Sequence, residues 1–347
     1  MLPSLLLPVL PLLLAAPLRE LSTSLLSAVP ATQEPTTSAS LQEEGEKKQR
    51  PRLRDRGRAL GQPETPQAPE LRRADGSLVE PGVIPQSTSA TARTTWGALV
   101  DALATDEPMR SFELNFNLRQ HSQETTQSND LTLEFAYLAP RFVHARLESG
   151  RTLIRGAQGD YLVDGKETIK LEGREAAADR KTLDEMASIA ATFMALTAPS
   201  ALRLVELQML EQAPAGIHPK HHQEMKPFLW MRVASPDFFL FTENKAKGIP
   251  IYQADLGIDP ETKAIRFAVI REMNPDPKLA PSTVFVRMSD HQRRDGFFVP
   301  HRIEICNLDP TTTPPRFYQR PTSRLDLKRK TGRLRARLTV EDFTPPR

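Results

Sequence analysis

The sequence predicts an α+β domain in which a curved antiparallel sheet, an incomplete β-barrel, wraps around an inserted helix. Three observations lead there. All 21 aromatic residues lie at or beyond Trp96, so the side chains that dominate core energetics are confined to about the last 250 residues. That stretch reads as about a dozen short runs with strand alternation, separated at hairpin spacing by glycines and Asp-Gly pairs. One long, strongly periodic helical segment interrupts them. An antiparallel sheet on this scale curls, and its apolar face needs a cover, which this helix supplies.

Residues 2–17 are Leu-rich and uncharged, a length that suits a signal-peptide core, and Pro3, Pro8, Pro11 and Pro17 work against a spanning helix. Residues 1–31 are therefore expected to be a signal peptide or an N-terminal anchor, which puts the protein in the periplasm or outside the cell. Residues 32–93 are rich in Pro, Gln, Thr, Ser, Glu and Arg, a composition that cannot offset ordering entropy, and are expected to be a disordered spacer. Within it, Lys47–Arg58 is strongly basic, a tether for an anionic surface or simply a solvated run. It has no interleaved aromatics, so specific nucleic-acid binding is not indicated. The net charge of +3 demands no acidic partner.

Residues 94–347 form the expected domain. Trp96, Leu99, Val100 and Leu103 make a short helical face with Thr94 or Thr95 as cap. Phe112–Leu118 alternates strictly, and strand-like runs follow at Leu131–Leu138, Arg141–Glu148, Thr152–Arg155, Asp160–Val163 and Glu167–Leu171. The periodic segment is Thr182–Leu196, with Leu183, Met186, Ala187, Ala190, Phe193 and Met194 on one face. Thr182 with Glu185 reads as a capping box, and Pro199 ends the element. Leu202–Leu210 is ambiguous, and Ala213–Pro227 is a loop. Strand runs resume at Phe228–Val233, Phe238–Thr242, Ile249–Leu256, Ala264–Glu272, Thr283–Met288, Phe297–Ile305, Arg324–Leu327 and Arg333–Val340. Asp259–Thr262, Asp295-Gly296 and Thr331-Gly332 are read as hairpin turns.

No catalytic motif stands out. Gly159–Glu167 mimics a phosphate loop but has five residues between its glycines and Glu where Ser or Thr would hold magnesium, so a hairpin turning at Asp164-Gly165 is the better reading. No Gly-x-Ser-x-Gly elbow is present. The lone Cys306 excludes Cys-x-x-Cys chemistry and sits in a strand-like run as a structural thiol. His218, His221 and His222 crowd one loop. They are a weak candidate for zinc or copper and the basis of the least favoured alternative, a metal-dependent enzyme.

The order of elements (leader, short helix, strands, helix, strands) resembles the LolA/LolB-like periplasmic lipoprotein carriers. The resemblance rests on Trp96–Leu103 running into Phe112–Arg119, on Gly159–Gly165, and on the tail Leu338–Pro346. It implies a non-enzymatic carrier, with no cofactor, that holds acyl chains between an incomplete barrel and its helices. It also implies a lid-holding arginine on an early strand, for which Arg119 is the candidate. The residues expected to line the apolar cleft are Phe112, Leu114 and Phe116 from the sheet and Leu183, Met186, Ile189, Phe193 and Met194 from the helix. The expected partner is a lipid or lipoprotein acyl chain. The alternative is a structural or interaction module of the periplasm or cell surface, with a fully packed core.

Overall fold

A computed structural model of the chain describes residues 70–73, 76–103, 109–121, 128–238, 251–273, 282–309, 311–334 and 336–346. The leader, most of the spacer and the basic run Lys47–Arg58 lie outside the described residues. So does the expected strand Phe238–Thr242, apart from Phe238.

Helix α1 (Ala90–Leu103) buries Ala92, Trp96, Leu99 and Leu103. It starts earlier than expected because Ser89, not Thr94 or Thr95, caps it: the Ala92 N–H donates to Ser89 Oγ at 3.3 Å. The fold also reaches back beyond residue 94, since Val79 is buried and Pro81 bridges to Arg203.

Six strands follow as a meander: β1 (Ser111–His121), β2 (Ser128–Leu138), β3 (Phe142–Leu147), β4 (Thr152–Gly156), β5 (Gly159–Asp164) and β6 (Glu167–Lys170). The long helix α2 (Ala177–Thr197) comes next. A second series runs β7 (Glu206–Leu210), β8 (Leu229–Ser235), β9 (Tyr252–Ile258), β10 (Ile265–Glu272), β11 (Thr283–Arg294), β12 (Phe297–Asp309), β13 (Arg316–Phe317) and β14 (Ser323–Arg333), with a one-turn helix α3 (His222–Met225) between β7 and β8.

Among the described residues, all strands belong to one antiparallel 14-stranded arrangement in the order β6-β5-β4-β3-β2-β1-β14-β12-β11-β10-β9-β8-β7, with β13 attached to β12. The first and last long strands therefore meet in the middle, and among the described residues β6 and β7 are the two edges. The chain leaves one edge as β6 and re-enters at the other as β7, so the segment between them must cross a face of the sheet. That segment is α2. It touches β3 and β4 on one side and β12 on the other.

The face under α2 and α1 carries the main apolar core, including Phe112, Leu114, Phe135, Leu183, Phe193 and Leu325. The opposite face is covered at two places. Ile217, Met225 and Phe317 pack on Trp230, Phe267 and Phe285 over β8–β12, and Phe343 packs on Ala136, Leu138 and Ile154 over β2–β4. With both faces covered, β9 is buried at every position rather than alternating.

Most expected turns stand. Asp295 and Gly296 both have positive φ at the β11–β12 hairpin, and Asp259 Oδ1 accepts from the Glu261 and Thr262 N–H groups between β9 and β10. Thr331-Gly332 is a correction. It is not a turn but lies inside β14, at an irregularity in the pairing with β1. Gly332 has φ +91°, and a Cβ there would meet the Glu113 carbonyl oxygen at 2.0 Å, so the close approach requires glycine. The expected strand Arg333–Val340 is a second correction. Arg333 already pairs with Glu113, and β1 begins at Ser111, so little partner remains. The chain turns aside instead. The Leu334 N–H donates to Asp295 Oδ2 at 2.9 Å, Ser111 Oγ donates to the Ala336 carbonyl, and a 3₁₀ turn forms at Val340–Phe343.

Candidate functional site

Alternation along β1 sends Phe112, Leu114, Phe116 and Leu118 to the face beneath α2. Phe193 of α2 meets two of them edge-on, with ring centroids 5.2 Å from Phe112 and 6.0 Å from Phe116. These edge-to-face contacts pin the helix over β1. On either flank the helix and the sheet do not close against each other. Toward β11 and β12 lies a cleft with an empty volume of about 730 Å³, mouth included, whose walls include Val284, Met288, Ile303 and Leu196. Toward β1 and β2 lies a second, of about 570 Å³, walled by Phe112, Phe116, Leu133 and Met186.

The two clefts share Glu185, Ile189, Phe193 and Leu325. Glu185, Ile189 and Phe193 are four residues apart in turn, so they form one ridge on α2 that divides the space above β14. Of the residues expected to line the cleft, Phe112, Phe116, Met186, Ile189 and Phe193 do. Leu114, Leu183 and Met194 do not line either compartment. They are buried in the packed core that holds the helix.

Arg119 is placed otherwise than expected. It sits on the outward side of β1, its side chain 45% exposed, and pairs with Asp130 of the next strand at 2.7 and 2.6 Å. It stitches β1 to β2 and holds no helix. The arginine that ties the helix to the sheet is Arg155 of β4. Its Nη1 donates to Asp184 Oδ1 of α2 at 2.7 Å, while Nε and Nη2 donate to Asp160 at 2.9 Å. Burial works against the guanidinium charge, but the hydrogen bond to Asp160 and the charges of Asp184 and Asp160 outweigh it, and the pKa is raised.

Glu185 was expected to close a capping box with Thr182. The helix in fact begins at Ala177, so both residues are interior. Thr182 Oγ1 donates back to the Ala178 carbonyl at 3.0 Å, and Glu185 turns into the cleft, 4% exposed. Its Oε1 has no hydrogen-bond partner. Burial raises its pKa to about 7, with Lys181 working against the shift and Asp184 adding to it. The sequence signal was present, since an acid sits among Leu183, Met186 and Ile189, but the same spacing matched a helix cap.

The chain is similar to solved LolA-superfamily structures. A LolA-superfamily protein from Nitrosomonas europaea matches at 11% identity and a TM-score of 0.39, over 74% of this chain and 99% of that one. A Vibrio parahaemolyticus domain described as an outer membrane lipoprotein-sorting protein matches at 10% and 0.37, over 73% and 96%. A DUF1329-family protein from Desulfovibrio piger matches at 10% and 0.35, over the same shares. No family model matches the sequence, and no curated protein does. At such identities no residue-by-residue correspondence follows, and the cleft stands on the geometry of this chain.

The histidine loop does not converge on a metal. His218 Nδ1 accepts from the Lys220 N–H, His221 is buried beside the Phe285 ring, and His222 Nε2 lies 3.0 Å from the Ile217 carbonyl oxygen. Among the described residues, no group of three His, Cys, Asp or Glu side chains is placed to hold a metal ion. Burial, reinforced by Arg287, lowers the His221 pKa to about 4. Cys306 is buried and its pKa is pushed up to about 12 by that burial, so it is an inert structural thiol. Among the described residues, no helix is long and apolar enough to cross a membrane.

Proposed function

We propose that the protein is an exported, non-enzymatic binding protein that holds a lipid or acyl chain between α2 and the sheet. The observation that carries this reading is the divided apolar cleft along both flanks of the helix. Each methylene of a chain moved there from water contributes about 0.8 kcal/mol, so one acyl chain is sufficient for useful affinity. Phe112, Phe116, Met186, Ile189 and Phe193 are the contacts, and the Arg155–Asp184 pair sets how easily the helix lifts. Capture and release need movement of α2 and no bond breaking. The Leu-rich leader supports a periplasmic or secreted location, and the sequence resemblance to lipoprotein carriers points to the same class of cargo.

The test is native mass spectrometry of the full chain purified from its membrane-containing lysate, followed by uptake of the apolar dye N-phenyl-1-naphthylamine. A lipid adduct near one per chain, or saturable dye uptake, supports the reading. A chain with neither overturns it. That outcome would favour the second reading, an interaction module with a packed core, for which the edge-on contacts of Phe193 with Phe112 and Phe116 already speak.

A further inference from the structure

The two compartments are mainly apolar, and Glu185 is the one ionisable side chain among their lining residues; Ser188, Thr192, Thr197 and Ser282 also line the larger compartment, and Gln120 and Thr182 the smaller. Glu185 faces both compartments, and its Oε1 is buried without a partner. Ser323 of β14 lines the smaller compartment, is 1% exposed, and its Oγ is likewise unpartnered. Buried polar atoms are normally satisfied, because leaving one unpaired costs about 1–3 kcal/mol. Thr197 Oγ1 of the larger compartment is unpartnered too, but Thr197 ends α2, several turns from Glu185. In the smaller compartment Glu185 and Ser323 line one space, and that pair marks where a polar atom of a ligand belongs. The side chains that line the two compartments from β1, β2, β11, β12 and β14 include no other ionisable group. The charges acting on Glu185 come from its own helix: Lys181, and Asp184, which Arg155 engages. A protonated carboxyl and a hydroxyl both offer an O–H donor. A buried cation would have to shed its own hydration in an apolar site, whereas a carbonyl brings an acceptor at little desolvation cost.

Resting on the acyl-chain reading above, we propose that Glu185 and Ser323 form a hydrogen-bonding point inside the cleft that selects chains bearing an ester or amide carbonyl over plain hydrocarbon. The carbonyl sits where the two compartments meet, with apolar chain running to either side of the Ile189–Phe193 ridge. The carboxyl must be protonated to donate, so the selectivity belongs to neutral and acidic pH, and deprotonation above about pH 7 removes the donor.

The experiment measures displacement of N-phenyl-1-naphthylamine from the full chain by methyl decanoate and by undecane, at pH 5.5 and 8.5. It uses the wild type, Glu185→Leu, Glu185→Gln and Ser323→Ala. The quantity read is the ratio of the two displacing concentrations. One hydrogen bond's worth of selectivity is about tenfold. Glu185→Leu is expected to lower the ester preference about tenfold at pH 5.5. Glu185→Gln, which keeps an N–H donor, holds it within about threefold, and Ser323→Ala gives a smaller loss. In the wild type, the preference falls at pH 8.5. An ester-to-hydrocarbon ratio that is the same in wild type and Glu185→Leu, or unchanged by pH, overturns the proposal while leaving the carrier reading standing. Should the dye fail to bind the wild type at all, the carrier reading falls and this inference with it.

Discussion

The two faces of the sheet are both apolar, yet they are covered in different ways. Over β8–β12 the outer face is sealed by irregular chain. Trp230, Phe267, Phe285 and Phe317 form a run of ring contacts at 5.5–6.4 Å, and the loop carrying Ile217 and Met225 follows the contour of the strands. The inner face is covered by a 21-residue rod that joins the two edges. A loop adapts its backbone to a twisted surface. A helix with fixed pitch touches that surface along one line and leaves space on both flanks. Space for a ligand thus follows from the type of cover rather than from how apolar the strands are.

The comparison is broken most directly by truncating a ring on the sealed face. Phe285→Ala is expected to cost about 3–5 kcal/mol of unfolding free energy, read by urea denaturation, because the ring is fully buried between Phe267 and Phe317. Ile189→Ala, on the ridge and already half-buried beside empty space, is expected to cost no more than about 1–2 kcal/mol. Equal losses at the two positions would mean the inner face is packed as tightly as the outer.

Next in size is the pH dependence. The Glu185 carboxyl has its ordinary value near 4.5 in the unfolded chain and about 7 in the fold. Its charged form is disfavoured by folding, so stability falls as pH rises from about 4.5 to 7 and the full penalty applies above that. Glu185→Gln is therefore expected to stabilise the protein at pH 8 by up to about 3 kcal/mol and to leave stability at pH 4 little changed. His221 and His291 act in the opposite sense. Burial holds both at about 4, below their ordinary 6.5, so the stability they contribute is present above pH 6.5 and is lost as pH falls toward 4. Thermal midpoints of wild type and Glu185→Gln across pH 4–9 check both limbs.

A smaller effect separates the two arginines. Arg155→Met leaves Asp184 and Asp160 without their partner at a largely buried site. It is expected to cost about 2 kcal/mol and to speed hydrogen exchange along Ala177–Thr197. Arg119→Met removes an exposed strand-to-strand pair and is expected to leave the denaturation midpoint and that exchange where they were.

These contrasts also show what could be read from residues alone. The strands were legible because Phe112–Leu118 alternates and Asp295-Gly296 supplies a turn with both φ angles positive; each is a local rule obeyed locally. The helix and its role as cover were legible for the same reason. Arg155 was not, because its partner Asp184 is 29 positions away and only the crossing of α2 brings them together. Glu185 was misread because Thr-x-x-Glu has the same spacing at a helix start and in a helix interior, and only the true start at Ala177 distinguishes them. Arg333–Val340 has strand composition, but a strand needs a partner, and β1 has nearly run out.

The central claim is that α2 leaves room which a ligand can fill. A titration of the full chain with N-phenyl-1-naphthylamine, run beside Ile189→Trp, tests it most directly. Saturable fluorescence enhancement in the wild type, lost in the tryptophan variant while its denaturation midpoint stays close to wild type, is the result predicted. Dye uptake that is absent, or the same in both proteins, would contradict it.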